Sequence, residues 1–227
     1  MAGPDTDAPG PERPRRRRPA AAVLIVVALL VVVAVGWFLA RGLRSSSSTA
    51  AGSCQAAPGA TLRDIDEDDD PEHAWAHVPG QKVTVYFQTR GLPPRYVTLV
   101  ERAADIWSRG GCISAVGVDT CPAGANCTTV VSRERSRDKN TDGESTGTDR
   151  SGVRVANKIT YFTGLLDRSS DNGALATVVH EMGHALGLVH RLDKNDVMNA
   201  DTNDRTDPVP DEIDFANLVV IYGGGGE

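Results

Sequence analysis

The sequence predicts an α+β domain over residues 81–227, preceded by a long N-terminal extension. Three stretches carry that prediction. KVTVYFQTR, Lys82 to Arg90, alternates apolar residues at Val83, Val85 and Phe87, the period of a half-buried strand. RYVTLVERAADIWSR then repeats apolar residues at Val97, Val100, Ala104 and Trp107, the period of a helix that covers a sheet, with Trp107 in the core. The apolar run GALATVVHEMGHALG predicts a second helix, and within it two histidines stand four residues apart.

In chain order, residues 1–19 are rich in Pro, Gly and charge and end in ERPRRRRP, a composition that cannot bury a core and reads as a disordered basic tail. Residues 20–40 are uncharged and dominated by Val, Leu, Ala and Ile, long enough to cross a bilayer, which needs about 20 residues. With Arg13 and Arg15 to Arg18 on one side against Arg41 and Arg44 on the other, the expectation is a transmembrane signal anchor with a cytoplasmic N-terminus and an extracellular domain. Cleavage and secretion is the alternative, because the small-residue cluster Thr49 to Ser53 follows. Residues 41–80 comprise a Ser-rich linker and an acidic arm, Ile65 to His77, too polar for a core and expected to be solvated. His73 and His77 in that arm share a four-residue spacing, but Pro71 and the lack of an apolar face argue against a metal there.

All four cysteines, Cys54, Cys112, Cys121 and Cys127, follow the apolar run, so two disulfides are expected. The sequence allows three pairings; Cys121 with Cys127 and Cys54 with Cys112 is preferred. Beyond Ser45 the chain carries 17 Lys and Arg against 27 Asp and Glu, an acidic balance that argues against nucleic acid as a partner.

Short strands are predicted at Ile113 to Val118 and Cys127 to Ser132, and another at Lys158 to Phe162. Between them, DKNTDGESTGTD offers oxygen ligands at Asp138, Asn140, Asp142 and Asp149 with Gly143 in sixth place, the spacing of a calcium loop. Ser145 stands where an apolar residue would pack and neither flank is helical, so a mobile polar loop is the default and calcium the alternative. Asp171 or Asn172 would cap a helix from Ala174 to Gly187. DTNDRTDPVP, without periodicity, would wall a pocket. Asp211 would cap a last helix ending at Tyr222.

The chemistry concentrates in HEMGHALGLVH. On a helix, His180 and His184 lie on one face, about 5–6 Å apart, and can grip one ion. Gly187 can adopt the backbone that ends the helix, so the reversed chain returns His190 to the same ion. Three imidazoles leave a fourth position open, the pattern of a catalytic zinc. Glu181, beside the first ligand, is placed to act as general base toward a water.

This eleven-residue pattern resembles the HExxHxxGxxH signature of the metzincin zinc metalloproteases, and DVMNA, with Met198 eight residues after His190, is similar to their methionine turn. The opening strand and helix and the last helix are similar to those of the matrixin branch. The resemblance implies His180, His184 and His190 as zinc ligands, Glu181 as general base and Met198 as the apolar floor. It implies a twisted, mostly parallel sheet with an antiparallel edge strand, and places the strand before the zinc helix at the edge, paired with substrate. It implies an endopeptidase acting on protein or peptide substrates. The Pro-x-Tyr wall of matrix metalloproteases is missing, and no histidines are spare for a second, structural zinc. The alternatives are a membrane-tethered binding module that keeps the fold, and a zinc hydrolase of non-peptide amides.

Overall fold

The computed structural model describes residues 54–69 and 73–224 of the chain. Five strands, β1 (Val83–Gln88), β2 (Ile113–Val118), β3 (Cys127–Arg133), β4 (Gly143–Arg150) and β5 (Val153–Phe162), form one sheet in the order β2-β1-β3-β5-β4. The pairs β1/β2, β1/β3 and β3/β5 are parallel, and β4/β5 is antiparallel. In β1 the alternation predicted from sequence is realised: Val83, Val85 and Phe87 are buried.

Helix α1 (Pro94–Trp107) opens with proline in its first turn, where a missing N–H costs nothing, and lays Tyr96, Leu99, Val100, Ala103 and Trp107 into the core. A one-turn helix, α2 (Thr163–Leu166), follows β5. Helix α3 (Asp171–Ala185) is capped by Ser170, whose side chain accepts from the Gly173 amide, one residue before the expected Asp171. Helix α4 (Glu212–Tyr222) begins at the expected cap: Asp211 accepts from Asp214 N while Asp214 accepts from Asp211 N.

Two expectations about the sheet are corrected. The strand before α3 is not the edge strand; β5 is flanked by β3 on one side and β4 on the other. The edge is β4, made from GESTGTDR, which the sequence left as a polar loop. Its Gly, Ser and Thr give no alternation. It becomes a strand because eight of its residues register against β5 through a tight reversal, in which Ser151 and Gly152 both have positive φ.

The acidic arm is not a free solvated segment. Cys54 is bonded to Cys112 at the start of β2, the pairing preferred from sequence, and Cys121 to Cys127 is the second bridge. Trp75 is 1% exposed and donates from its indole to Ala185 O at the end of α3 (2.7 Å).

The membrane localisation does not stand. Among the described residues no helix is long and apolar enough to cross a membrane, and the anchor expected at residues 20–40 lies outside the described residues.

Candidate metal centre

Helix α3 places His180 and His184 one turn apart on the face turned toward β4 and the chain after the helix. Its end is a Schellman motif: Gly187 has φ +101°, its amide donates to His184 O (3.0 Å), and Leu188 N donates to Gly183 O (3.1 Å). The remaining helix-end carbonyls are taken up by side chains from elsewhere. Trp75 reaches Ala185 O, and the Tyr222 hydroxyl donates to Leu186 O at 2.8 Å. The chain thus reverses where the sequence expected and brings back His190.

The three imidazoles converge through Nε2. His184 Nε2 lies 3.0 Å from His180 Nε2 and 3.2 Å from His190 Nε2. Tetrahedral zinc with Zn–N bonds of about 2.0–2.1 Å separates its nitrogen ligands by about 3.3 Å, so the donor set fits that ion. Each Nδ1 is engaged on the far side of its ring: His180 with Val197 O (2.7 Å), His184 with Leu188 O (2.8 Å) and His190 with Asp69 Oδ2 (2.8 Å). These partners fix the tautomer that leaves every Nε2 lone pair facing inward. Burial, then His184 and His190 beside it, holds His180 well below the ordinary histidine range; burial and then His190 push His184 down to about 4. Both are therefore neutral at pH 7, as metal ligands must be.

Glu181 stands on the same helix with 6% exposure, in a cleft of about 370 Å³ also lined by Asp142, Gly143, Glu144, Asp201 and the three histidines. Burial, reinforced by Asp142 and Glu144, raises its carboxyl to about 8. Gly143 is what makes room for it: a Cβ there would lie 2.7 Å from both Cγ and Oε1 of Glu181. Gly143, read from sequence as the sixth place of a calcium loop, serves here as clearance for a carboxylate.

Met198 is fully buried in the turn Asp196–Ala200, where Met198 N donates to Asp196 Oδ1 (2.7 Å). Its sulfur lies against α3 so closely that a Cβ on Gly183 would come within 2.3 Å of it. The methionine thus packs directly against the helix that carries His180 and His184. The segment after the turn contributes Ala200, Asp201 and Thr202 to the cleft wall, where the sequence placed it.

The calcium reading finds no support. Asp142 accepts from Thr177 Oγ1 (2.9 Å), and Asp149 is engaged by Arg154 Nε (2.8 Å) and His73 Nδ1 (3.1 Å). Asp138 accepts from the Asn140 amide in a local turn (3.1 Å). Because Gly143–Arg150 is extended at about 3.3 Å per residue, Asp142 and Asp149 stand about 23 Å apart along the chain and cannot share an ion.

Sequence reasoning missed a second cluster below the site. Arg191, next to His190, has a side chain 2% exposed and reaches four carboxylates: Asp64 (2.8 Å), Asp196 (3.2 Å), Asp211 (2.9 Å) and Asp214 (3.1 Å). Asp196, Asp211 and Asp214 present oxygens close enough for a metal, but the guanidinium occupies the space among them. Burial alone would lower the Arg191 pKa; hydrogen bonds to Asp211 and Asp64 raise it instead. The only hint in the sequence is an arginine beside His190 followed by seven aspartates over residues 193–214, and nothing in their spacing says which of them meet it.

No protein-family model matches the chain, and no curated protein matches it. Among solved structures, an archaemetzincin from Methanopyrus kandleri aligns at 15% identity with a TM-score of 0.44, over 63% of this chain and 97% of that one. Metalloproteinase-II from Bacteroides fragilis aligns at 14% identity with a TM-score of 0.42, over 66% of this chain and 56% of its own. Likeness this slight assigns neither family nor activity and gives no support to the matrixin branch in particular.

Proposed function

We propose that the chain is a zinc-dependent endopeptidase of the metzincin type. The observation that carries this reading is the convergence of three Nε2 atoms, each ring locked from behind, beside a buried carboxylate at the edge of an open cleft. His180, His184 and His190 would hold the ion. A zinc ion held there would supply Lewis acidity and make a water nucleophilic near neutral pH. The positive charge of the ion would oppose the burial that raises the Glu181 carboxyl in the metal-free site and keep it ionised, so that Glu181 could take the proton from the attacking water and deliver it to the leaving amine.

The edge strand β4 supports a peptide substrate. Its outer side pairs with no strand among the described residues, so its free N–H and C=O groups are available to an extended backbone, and its first residues, Gly143 to Ser145, line the cleft. The cleft wall carries Asp142, Glu144 and Asp201 and, among its described residues, no Lys or Arg. Peptides with basic residues flanking the scissile bond are therefore favoured.

The test is Glu181→Ala. The variant should bind one zinc per chain as the wild type does, while hydrolysis of a peptide library falls by roughly 10²–10⁴-fold, the range for loss of a general base. Cleavage at the wild-type rate would overturn the mechanism.

A further inference from the structure

Two of the three imidazoles are locked by backbone carbonyls that follow them closely in the chain. His180 uses Val197 O and His184 uses Leu188 O. His190 differs. It is the one candidate ligand outside a helix, and its Nδ1 faces a side chain from 121 residues earlier, Asp69.

Asp69 does not reach His190 by accident of a mobile loop. The segment from Arg63 to Asp69 is bound along the chain that carries His190. Arg63 exchanges two hydrogen bonds with the Asn217 side chain on α4, at 2.9 and 3.0 Å. Asp64 O accepts from Leu192 N (3.1 Å), and Ile65 bridges Arg191 antiparallel. Asp66 N donates to His190 O (2.9 Å), and the Asp64 carboxylate takes Arg191 Nε (2.9 Å). At the end of this strap, Asp69 Oδ2 accepts from His190 N at 3.0 Å and lies 2.8 Å from His190 Nδ1. One carboxylate oxygen thus holds both the backbone and the ring of the same residue.

We propose that Asp69 is a positioning residue for the metal centre: by accepting the His190 Nδ1 proton it fixes the ring in the orientation and tautomer that completes the ligand set, which makes the strap 63–69 an integral part of the site. The proposal rests on the zinc reading above. A carboxylate behind a ligating imidazole also raises the basicity of the ligating nitrogen, and loss of such a partner typically costs 10–100-fold in metal affinity.

The test uses the full-length chain in four forms: wild type, Asp69→Ala, Asp69→Asn and Asp68→Ala. Zinc affinity is measured by competition with a chromophoric chelator, the ligand field by the visible spectrum of the cobalt-substituted protein, and folding by urea unfolding of the metal-free protein. Asp69→Ala should lose 10–100-fold in zinc affinity and alter the cobalt spectrum, with the metal-free unfolding midpoint close to that of the wild type. Asp69→Asn keeps an oxygen acceptor and should recover part of the affinity. Asp68→Ala removes the same charge one residue away and should match the wild type, which separates positioning from the general field of the acidic arm. Wild-type affinity and spectrum in Asp69→Ala would overturn the proposal, as would an affinity loss that tracks a matching loss of metal-free stability. If the wild type itself binds no zinc, the zinc reading fails first and the proposal falls with it.

Discussion

The candidate metal centre is built from two halves held by different physics. The helix half, His180, Glu181 and His184 on α3, sits in an apolar core in which Val178, Val179, Met182 and Ala185 are fully buried and Trp107 donates its indole N–H to Val179 O (3.0 Å). The loop half, His190 with Arg191, is held by carboxylates from the arm, the methionine turn and α4. Packing positions the first half and tolerates no added volume; charge pairing positions the second and tolerates no lost partner. A substitution in either should therefore fail in its own way.

The largest effect is expected in the loop half. Arg191→Met removes the one cation among Asp196, Asp211 and Asp214, of which Asp196 and Asp214 have side chains only 3% and 0% exposed. Removing one partner of a buried ion pair costs about 3–5 kcal/mol, because the other charge is left uncompensated. The urea midpoint of the metal-free protein measures it. An unchanged midpoint would mean that the cluster contributes nothing to stability and that the two halves are not distinct in kind.

The helix half is broken by volume. Gly183→Ala places a methyl 2.3 Å from the Met198 sulfur and 2.9 Å from Trp107, inside a packed core. Overpacking of this kind costs about 1–3 kcal/mol. It should also shift α3 away from the methionine turn, so zinc affinity should fall together with stability, whereas a variant that lost stability alone would show that the Met198 contact does not set the position of the histidines.

The same division explains what the sequence discloses. The helix half is written locally: histidines four apart, glycine at the helix end and methionine a fixed distance beyond are short-range patterns. The chain reversal at Gly187 follows from backbone preference alone. The Asp211 cap and the span of β2 are legible for the same reason. The loop half depends on side chains from residues 63–69 and 211–214 meeting His190 and Arg191, contacts spanning up to 127 residues. In an arm reading IDEDDD, no periodicity marks Asp69 above its neighbours. Strand β4 was hidden because its residues favour turns and strand pairing overrides that preference. The resemblance places β5 at the edge, whereas β4, unmarked by any alternation, covers its outer side.

Between the two halves lies the edge strand, and there the expected effect is chiefly on rate. Gly143→Ala pushes a methyl toward the Cγ and Oε1 atoms of Glu181, 2.7 Å from each. Glu181 must give way, and so must the buried Thr177 Cγ2, 2.9 Å from the same methyl, so stability also falls, by about 1–3 kcal/mol. The general base is then misplaced by about an ångström, a displacement that can cost about 10²-fold in rate. Steady-state kinetics on the best library peptide should show kcat falling while KM and zinc content hold. A fall in zinc content instead would place Gly143 with the ligands.

The smallest effect concerns the proton held beneath the loop half. Burial, then Asp196, raises the Asp214 carboxyl to about 7 against the opposing pull of Arg191. The ordinary carboxylate value is about 3.9, so between those limits the folded state binds a proton that the unfolded chain does not. Stability from this group is then complete below about pH 4 and declines as pH rises toward 7. Asp214→Asn removes the titration while keeping an oxygen for the Asp211 amide that Asp214 Oδ2 now accepts at 3.0 Å. His184, pushed down to about 4, and Glu181, raised to about 8, also change charge near the ends of this interval, so the informative quantity is the difference between wild type and variant, both metal-free, at each pH. That difference should shrink steadily from pH 4 to pH 7, because the wild type loses an advantage that the variant never had. A difference independent of pH over that range would mean that Asp214 is ionised throughout, with Arg191 outweighing burial.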